Sequence, residues 1–275
     1  MEATSTSIDN SNADTYSLDR FVEDYDAYQG WNDKGEMRVL MSIAPEVRGK
    51  AVLDVGVGTG RTTSLLRLLT DDYVGIDYVP IMVEQARAAF PGNDLRVGDV
   101  LDLKEFDEGS KALVLFSFNG LDSLDHDSRP AALANMAAVT APGGYLVYST
   151  LNLDSPHPRR KPWTPPQRPV EKGTEGMLLW CFRLLRLTVQ LPLHLWIRSR
   201  TQKLSMRGDG WANEPAAGSG WRLILHFTTL AKAKEELAAT GLTLERIITV
   251  DGVDVTECDS TDALYFYVVA RRQAR

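Results

Sequence analysis

Between residues 50 and 150, short and almost wholly apolar runs alternate with segments whose apolar residues recur every three or four positions. The short runs predict strands at 51–55, 72–77, 94–97, 111–117 and 144–150. PIMVEQARAAF from Pro80 and SRPAALANMAAV from Ser128 carry the helical period between them. Strand–helix alternation at this spacing implies right-handed crossovers and a parallel sheet, an α/β fold. Near the carboxyl end, TTLAKAKEELAATG predicts a helix with Thr229 as its cap and Gly241 as its stop. Two β-rich runs follow, LTLERIITV and ALYFYVVARR, separated only by the polar DGVDVTECDSTD. That loop leaves no room for a crossover helix, so the two runs should pair antiparallel.

The stretch from about 152 to 228 follows neither pattern. It opens on SPHPRRKPWTPPQRP, continues as the apolar helix candidate GMLLWCFRLLRLTVQ, alternates through LHLWIRSRTQKL and ends in the glycine-punctuated GDGWANEPAAGSGW. This reads as an inserted cap of one helix and a β-hairpin. Ahead of the first strand, RFVEDYDAYQGWNDKGEMRVL predicts a helical segment. Its Tyr25, Tyr28 and Trp31 could close over a ligand, or the helix could pack on the sheet edge. The polar, acidic first 17 residues lack the basic start and apolar block of a signal peptide, so a disordered tail and a cytoplasmic protein are expected. The expected division is a tail at 1–17, a core at 18–151 and 226–275, and a cap at 152–225.

Composition narrows the class. With 275 residues, 44% hydrophobic and 24% charged, the chain is an ordinary globular protein of one large domain or one domain with a subdomain. A net charge of −7 argues against nucleic acid as a partner. Cys181 and Cys258 have no metal-ligand spacing, no metal is expected, and Cys181, in an apolar run, reads as a small buried thiol.

The first strand runs into VLDVGVGTGRTT, residues 52–63. A dinucleotide site needs G-x-G-x-x-G, but the third glycine position holds Arg61. The spacing is instead G-x-G-x-G over Gly56, Gly58 and Gly60, with Asp54 two residues earlier, and an acid there suits a ligand bearing an ammonium group. D-x-G-x-G-x-G resembles the first motif of the class I S-adenosylmethionine-dependent methyltransferases.

The resemblance covers about residues 20–150 and 226–272. It implies a Rossmann-like seven-stranded sheet, mostly parallel with the last strand antiparallel, and S-adenosyl-L-methionine as cofactor with S-adenosyl-L-homocysteine as product. It implies that Asp77, in GID, grips both ribose hydroxyls, that Tyr78 and Met82 pack on adenine, and that Asp99 within Gly98-Asp99-Val100 binds the adenine amino group. Ser117, Phe118 and Asn119, in FSFNGLDSL, would line the methionine end, PGGYLVYST would turn into the fifth strand, and Tyr28 would close from the lid.

Methyl transfer needs alignment and dryness more than a base. His226, in LHFTT, ranks first as a base and His157 second, with Asp122 and Asn119 as further polar candidates. His126 reads as a surface residue, and His194 is open. Between residues 155 and 225, twelve Lys or Arg stand against four acids, and five of the six tryptophans lie there. Such a cap over an acidic body suggests an anionic, apolar or aromatic acceptor. Trp31, Asn152, Trp180, Arg183 and Trp211 are the substrate-side candidates. Arg183, Arg186 and Pro192 argue against a membrane-spanning helix, while the arginine stripe could lie on an anionic membrane surface.

The function that follows is methyl transfer to oxygen or nitrogen of a small molecule, by a monomer or homodimer. The rivals are a methyltransferase of RNA, protein or membrane lipid, a non-catalytic cofactor-binding scaffold and, last, a dehydrogenase.

Overall fold

The computed structural model describes residues 7–28, 30–158, 160–166 and 174–274. Eight helices and ten strands alternate along these residues: α1 (Ser7–Tyr16), α2 (Asp19–Asp26), α3 (Lys34–Val47), β1 (Val52–Val55), α4 (Thr63–Arg67), β2 (Tyr73–Asp77), α5 (Pro80–Ala89), β3 (Asp94–Val97), β4 (Lys111–Phe116), α6 (Arg129–Val139), β5 (Thr140–Asn152), α7 (Thr174–Thr201), β6 (Met206–Gly208), β7 (Trp211–Pro215), β8 (Ile224–Thr228), α8 (Leu230–Ala238), β9 (Thr243–Thr249) and β10 (Tyr265–Arg271).

Strands β3-β2-β1-β4-β5 pair parallel in that order, and β10 lies antiparallel between β5 and β9. Apolar residues alternate across this sheet as a strand's period of two requires. Leu53, Val114 and Phe116 face α6 and α8, while Val52, Leu113 and Leu115 face α3, α4 and α5. Both faces are covered, which explains why the central strands read as continuous apolar runs. Thr229 caps α8 by accepting from the Lys232 N–H, as its position predicts.

The seven expected strands extend to a ten-stranded sheet. β5 is 13 residues long and overshoots β4. At its tip Leu151 pairs with Tyr265 of β10 on one edge and Phe227 of β8 on the other. β8 therefore occupies the edge that β4 has vacated, and β7 and β6 continue outward from it, antiparallel.

Three expectations change here. The segment 7–16, expected within a disordered tail, is α1, and the first six residues lie outside the described ones. Its amphipathic signal is weak because a polar residue anchors it. Asn12, wholly buried, donates to the carbonyls of Ser123 and Ile224 and accepts from the Ile224 N–H. The run 193–204 is not a strand of a hairpin. α7 continues through Pro192 to Thr201, and His194, Ile197 and Thr201 turn inward at helical spacing, with the hairpin only at 206–215. Cys181 sits on the outer side of this helix and is exposed. By length and composition alone, residues 176–204 are also apolar enough to cross a membrane, with a mean hydropathy of 1.2, despite the arginines and proline. Arg159, Arg168, Glu171 and Lys172 of the basic stretch lie outside the described residues.

Candidate active site

A cavity opens at the carboxyl ends of β1, β2 and β4, the edge where parallel α/β sheets bind ligands. Its floor is the turn after β1, where Gly56 and Gly58 take φ of +66° and +56°. The glycines there have different reasons. A Cβ on Gly56 would lie 2.4 Å from the Phe116 ring, and one on Gly60 2.5 Å from the Phe90 ring. Those two are excluded by the protein's own packing. A Cβ on Gly58 meets nothing nearer than Tyr25 at 3.9 Å, so the space in front of it is the cavity itself.

Asp77 closes one wall. Its Oδ2 accepts the Gly58 N–H at 2.9 Å and its Oδ1 the Val79 N–H at 2.9 Å. Burial pushes this carboxyl up to about 6, against the pull of those two donors. No cation neutralises it among the described residues, and a carboxylate with two of about four acceptor sites used can still take two hydroxyl donors. Tyr78, Met82, Gly98, Asp99 and Val100 continue the wall. Asp99 accepts the Leu101 N–H at 2.9 Å, which fixes its carboxyl at the lip.

The opposite side is built on Arg61. Its guanidinium pairs with both oxygens of Glu36, at 2.6 and 2.7 Å, and also donates to the Trp31 carbonyl and to Ser117 Oγ. It lies 4.9 Å from the centroid of Phe118. Phe118 and Asn119 follow with φ of 52° and 61°, two successive left-handed residues that are not glycine. Such conformations cost ~1–3 kcal/mol each and persist only where neighbours hold them. Arg61 holds Ser117 and Phe118, and Ser149 Oγ accepts the Asn119 N–H at 2.6 Å.

The roof is α1 and α2. Tyr16 and Tyr25 line the cavity, 6.0 Å apart edge to face, and Tyr25 meets Phe118 at 6.3 Å. Burial raises the Tyr25 phenol to about 12, so it stays neutral. Tyr28 and Trp31 pack on the outer side of Phe118 and do not reach the cavity.

Residues 52–144 match the methyltransferase domain family. The malonyl-[acyl-carrier protein] O-methyltransferase of Yersinia pestis is 29% identical over 49% of this chain and 49% of its own. The ubiquinone biosynthesis O-methyltransferase of Nitrosococcus oceani is 31% identical over 46% of this chain and 58% of its own. The chain thus spans about half the length of the curated relatives it matches. In fold it is similar to an S-adenosylmethionine-dependent methyltransferase of Mesorhizobium loti, with a TM-score of 0.56 at 21% identity over 86% of this chain and 98% of that one. Residues 52–144 thus carry a methyltransferase domain, and the fold around them is similar to that of S-adenosylmethionine-dependent methyltransferases.

Within this methyltransferase domain several expected roles move. Asp54 does not line the cavity. It lies beneath the turn, where its Oδ2 accepts from Thr62 at 2.6 Å and Tyr73 at 3.0 Å and so braces the loop. Gly60 and Asn119 also stand outside the lining. Asp122 is wholly buried in an ion pair with Arg129 at 2.8 Å and accepts from Thr150 and the Leu151 N–H, which leaves it no freedom as a base.

The histidines are elsewhere too. His226 is buried at the β8 edge, its Nε2 3.2 Å from His126 Nδ1, and Trp211 stacks 3.7 Å from His126. His126 is therefore half-buried rather than a surface residue, and Trp211 is occupied with it. Burial lowers the His226 pKa well below its usual value. Each of His126, His226 and Glu236 offers a ligand atom within 4.8 Å of the others, a constellation that could hold a metal ion but borders no part of the cavity. His157 packs beside Phe227 at 6.4 Å. Asn152 is buried and donates to the Thr261 and Ala263 carbonyls. Trp180 donates to the Pro166 carbonyl, and Arg183 is exposed on α7.

The largest correction concerns the cap. Among the described residues, none from 155 to 225 lines the cavity. The insertion leaves from the tip of β5 and widens the sheet sideways, so α1 and α2 form the roof instead. The cap still bears on the site, since β8 within its far end grips Asn12 of α1. Arg61, Tyr16 and Asn12 were not singled out from sequence. The pairing of Asp33 with Glu36 ahead of an apolar run, a capping signal, was the one hint that Glu36 needed a partner.

The turn gives a direct test. Gly58→Asn keeps a left-handed residue while filling the cavity. It should weaken S-adenosylmethionine binding at least about tenfold while costing only about 1 kcal/mol of stability. Calorimetry showing unchanged affinity would return Gly58 to a purely conformational role.

Proposed function

We propose that the chain transfers a methyl group from S-adenosylmethionine to an oxygen or nitrogen of a small apolar or aromatic molecule. The observation that carries this reading is the cavity in which Asp77 and the bare backbone of Gly58 face Tyr16, Tyr25 and Phe118. Asp77 would accept the ribose hydroxyls, with Met82 and Val100 flanking the adenine and Ser117 and Phe118 beside the methionine end. S-adenosylmethionine supplies an electrophilic methyl on a sulfonium whose departure leaves a neutral thioether. The chain's contribution is alignment and exclusion of water by the tyrosine roof. No histidine lines the cavity, so no histidine base is assigned.

An anionic acceptor loses its support. The described residues of the basic cap stand away from the cavity, whose lining holds Asp9, Asp77 and Asp99, and Arg61 is already paired with Glu36. The relatives named for ubiquinone biosynthesis favour an aromatic acceptor over an acyl-carrier-bound one, because the roof is aromatic.

The test is titration with S-adenosylmethionine and with NAD, followed by transfer of labelled methyl groups to phenols, aromatic amines and carboxylic acids. Saturable binding of the first ligand alone and labelling of phenols or amines are expected. Binding without any turnover would favour a scaffold.

A further inference from the structure

α7 presents its apolar side to the outside. Leu178, Phe182, Leu185, Val189, Leu193 and Trp196 follow one another at steps of three or four, a continuous stripe on one helix face. Each of them is between 50 and 72% exposed. A helix surrounded by water turns such a stripe toward its own core. Here the stripe faces outward, while the inward side is already packed: Trp180, Leu184, Leu187 and Leu191 are half-buried and Ile197 is buried. Gln190 and His194 are half-buried, Thr201 donates to the Trp221 carbonyl at 3.0 Å, and Arg198 stacks over the Trp221 ring at 4.7 Å.

The flanks of the stripe say what covers it. Arg183, Arg186 and Arg200 are exposed beside it, and Glu175 is the one acid in the sequence of the helix. A two-fold pairing with a second copy would bring arginines against arginines with too few acids to balance them. An anionic lipid surface suits both features, since it takes the apolar stripe into its acyl boundary and the guanidinium groups among its headgroups. The helix lies rather than spans, because its other face is fastened to the protein at Trp221 and by Trp180 to the Pro166 carbonyl. We propose that α7 docks the protein on an anionic membrane surface, lying in the interface with its Leu178–Trp196 stripe inserted.

The experiment is co-flotation of the full chain with phosphatidylcholine vesicles and with vesicles of equal parts phosphatidylcholine and phosphatidylglycerol. Binding to the mixed vesicles at least about tenfold tighter than to phosphatidylcholine alone is expected. Leu185→Glu with Val189→Glu should abolish it. Both positions are exposed, so melting temperature and S-adenosylmethionine affinity should stay unchanged, which separates this result from the fate of the methyltransferase reading. Arg183→Gln with Arg186→Gln should erase the preference for the anionic vesicles. Wild-type protein that never floats overturns the proposal. So does a dimer, measured by sedimentation equilibrium, that the glutamate variant breaks and vesicles leave intact.

Discussion

Asp77→Ala should lower S-adenosylmethionine affinity at least about a hundredfold, because two charge-assisted hydrogen bonds of about 1.5–3 kcal/mol each are lost together. The fold should tolerate it, since the change also removes a buried carboxylate that no cation balances. The same burial makes binding depend on pH. A carboxyl raised from 3.8 to about 6 binds its proton more tightly when folded. It therefore contributes stability that is complete below its ordinary range and lost as pH rises through about 6. Binding runs the other way, because accepting two ribose hydroxyls needs the ionised form. Affinity should be level above about pH 7 and fall by up to about tenfold per pH unit below the raised value. Asp77→Asn should bind weakly and show no such fall. Asp54 is also raised by burial to about 6 but does not border the cavity, so any inflection left in the asparagine variant belongs to Asp54. Calorimetry from acid to neutral pH decides the matter, and wild-type affinity in the alanine variant would remove Asp77 from the cofactor site.

What the sequence made legible was whatever is chain-local and periodic. β1, β2 and β4 are buried on both faces, so their apolar runs stand out, and the glycine turn must follow the first of them. The antiparallel β9–β10 pair could be read from the length of its loop alone. The roof was hidden for the opposite reason. α1 is held by Asn12 through three hydrogen bonds to backbone, and a buried polar anchor looks like a surface residue until its partners, more than a hundred positions away, are known. The cap misled because charge was read as pointing inward. LHLWIRSR also fits an alternating strand, and only the burial of Ile197 and the hydrogen bond of Thr201 to the Trp221 carbonyl select the helix. Asp54 was placed correctly in the chain but its partners Thr62 and Tyr73 come from two other elements, which spacing does not reveal.

Arg61→Met should be the most destabilising single change near the site. The Arg61 and Glu36 side chains are 7% and 1% exposed, and the substitution leaves a buried carboxylate unpaired. Breaking such a pair from one side costs about 3–5 kcal/mol, and at about 2–4 °C per kcal/mol for a chain of this size the melting temperature should fall by roughly 6–20 °C. Arg61→Met with Glu36→Leu removes both charges and should recover most of that loss, since apolar replacement of a whole buried pair is often neutral. Cofactor binding should not recover with it. Arg61 also anchors the Trp31 carbonyl, Ser117 Oγ and the Phe118 ring, and without it the left-handed Phe118 and Asn119 lose one of their two supports. The segment after β4 would then relax toward ordinary backbone and leave the methionine end unformed. Stability restored while affinity stays low is thus the expected signature of a residue that positions the site. Full recovery of S-adenosylmethionine affinity in the double variant would show instead that Arg61 serves only to neutralise Glu36.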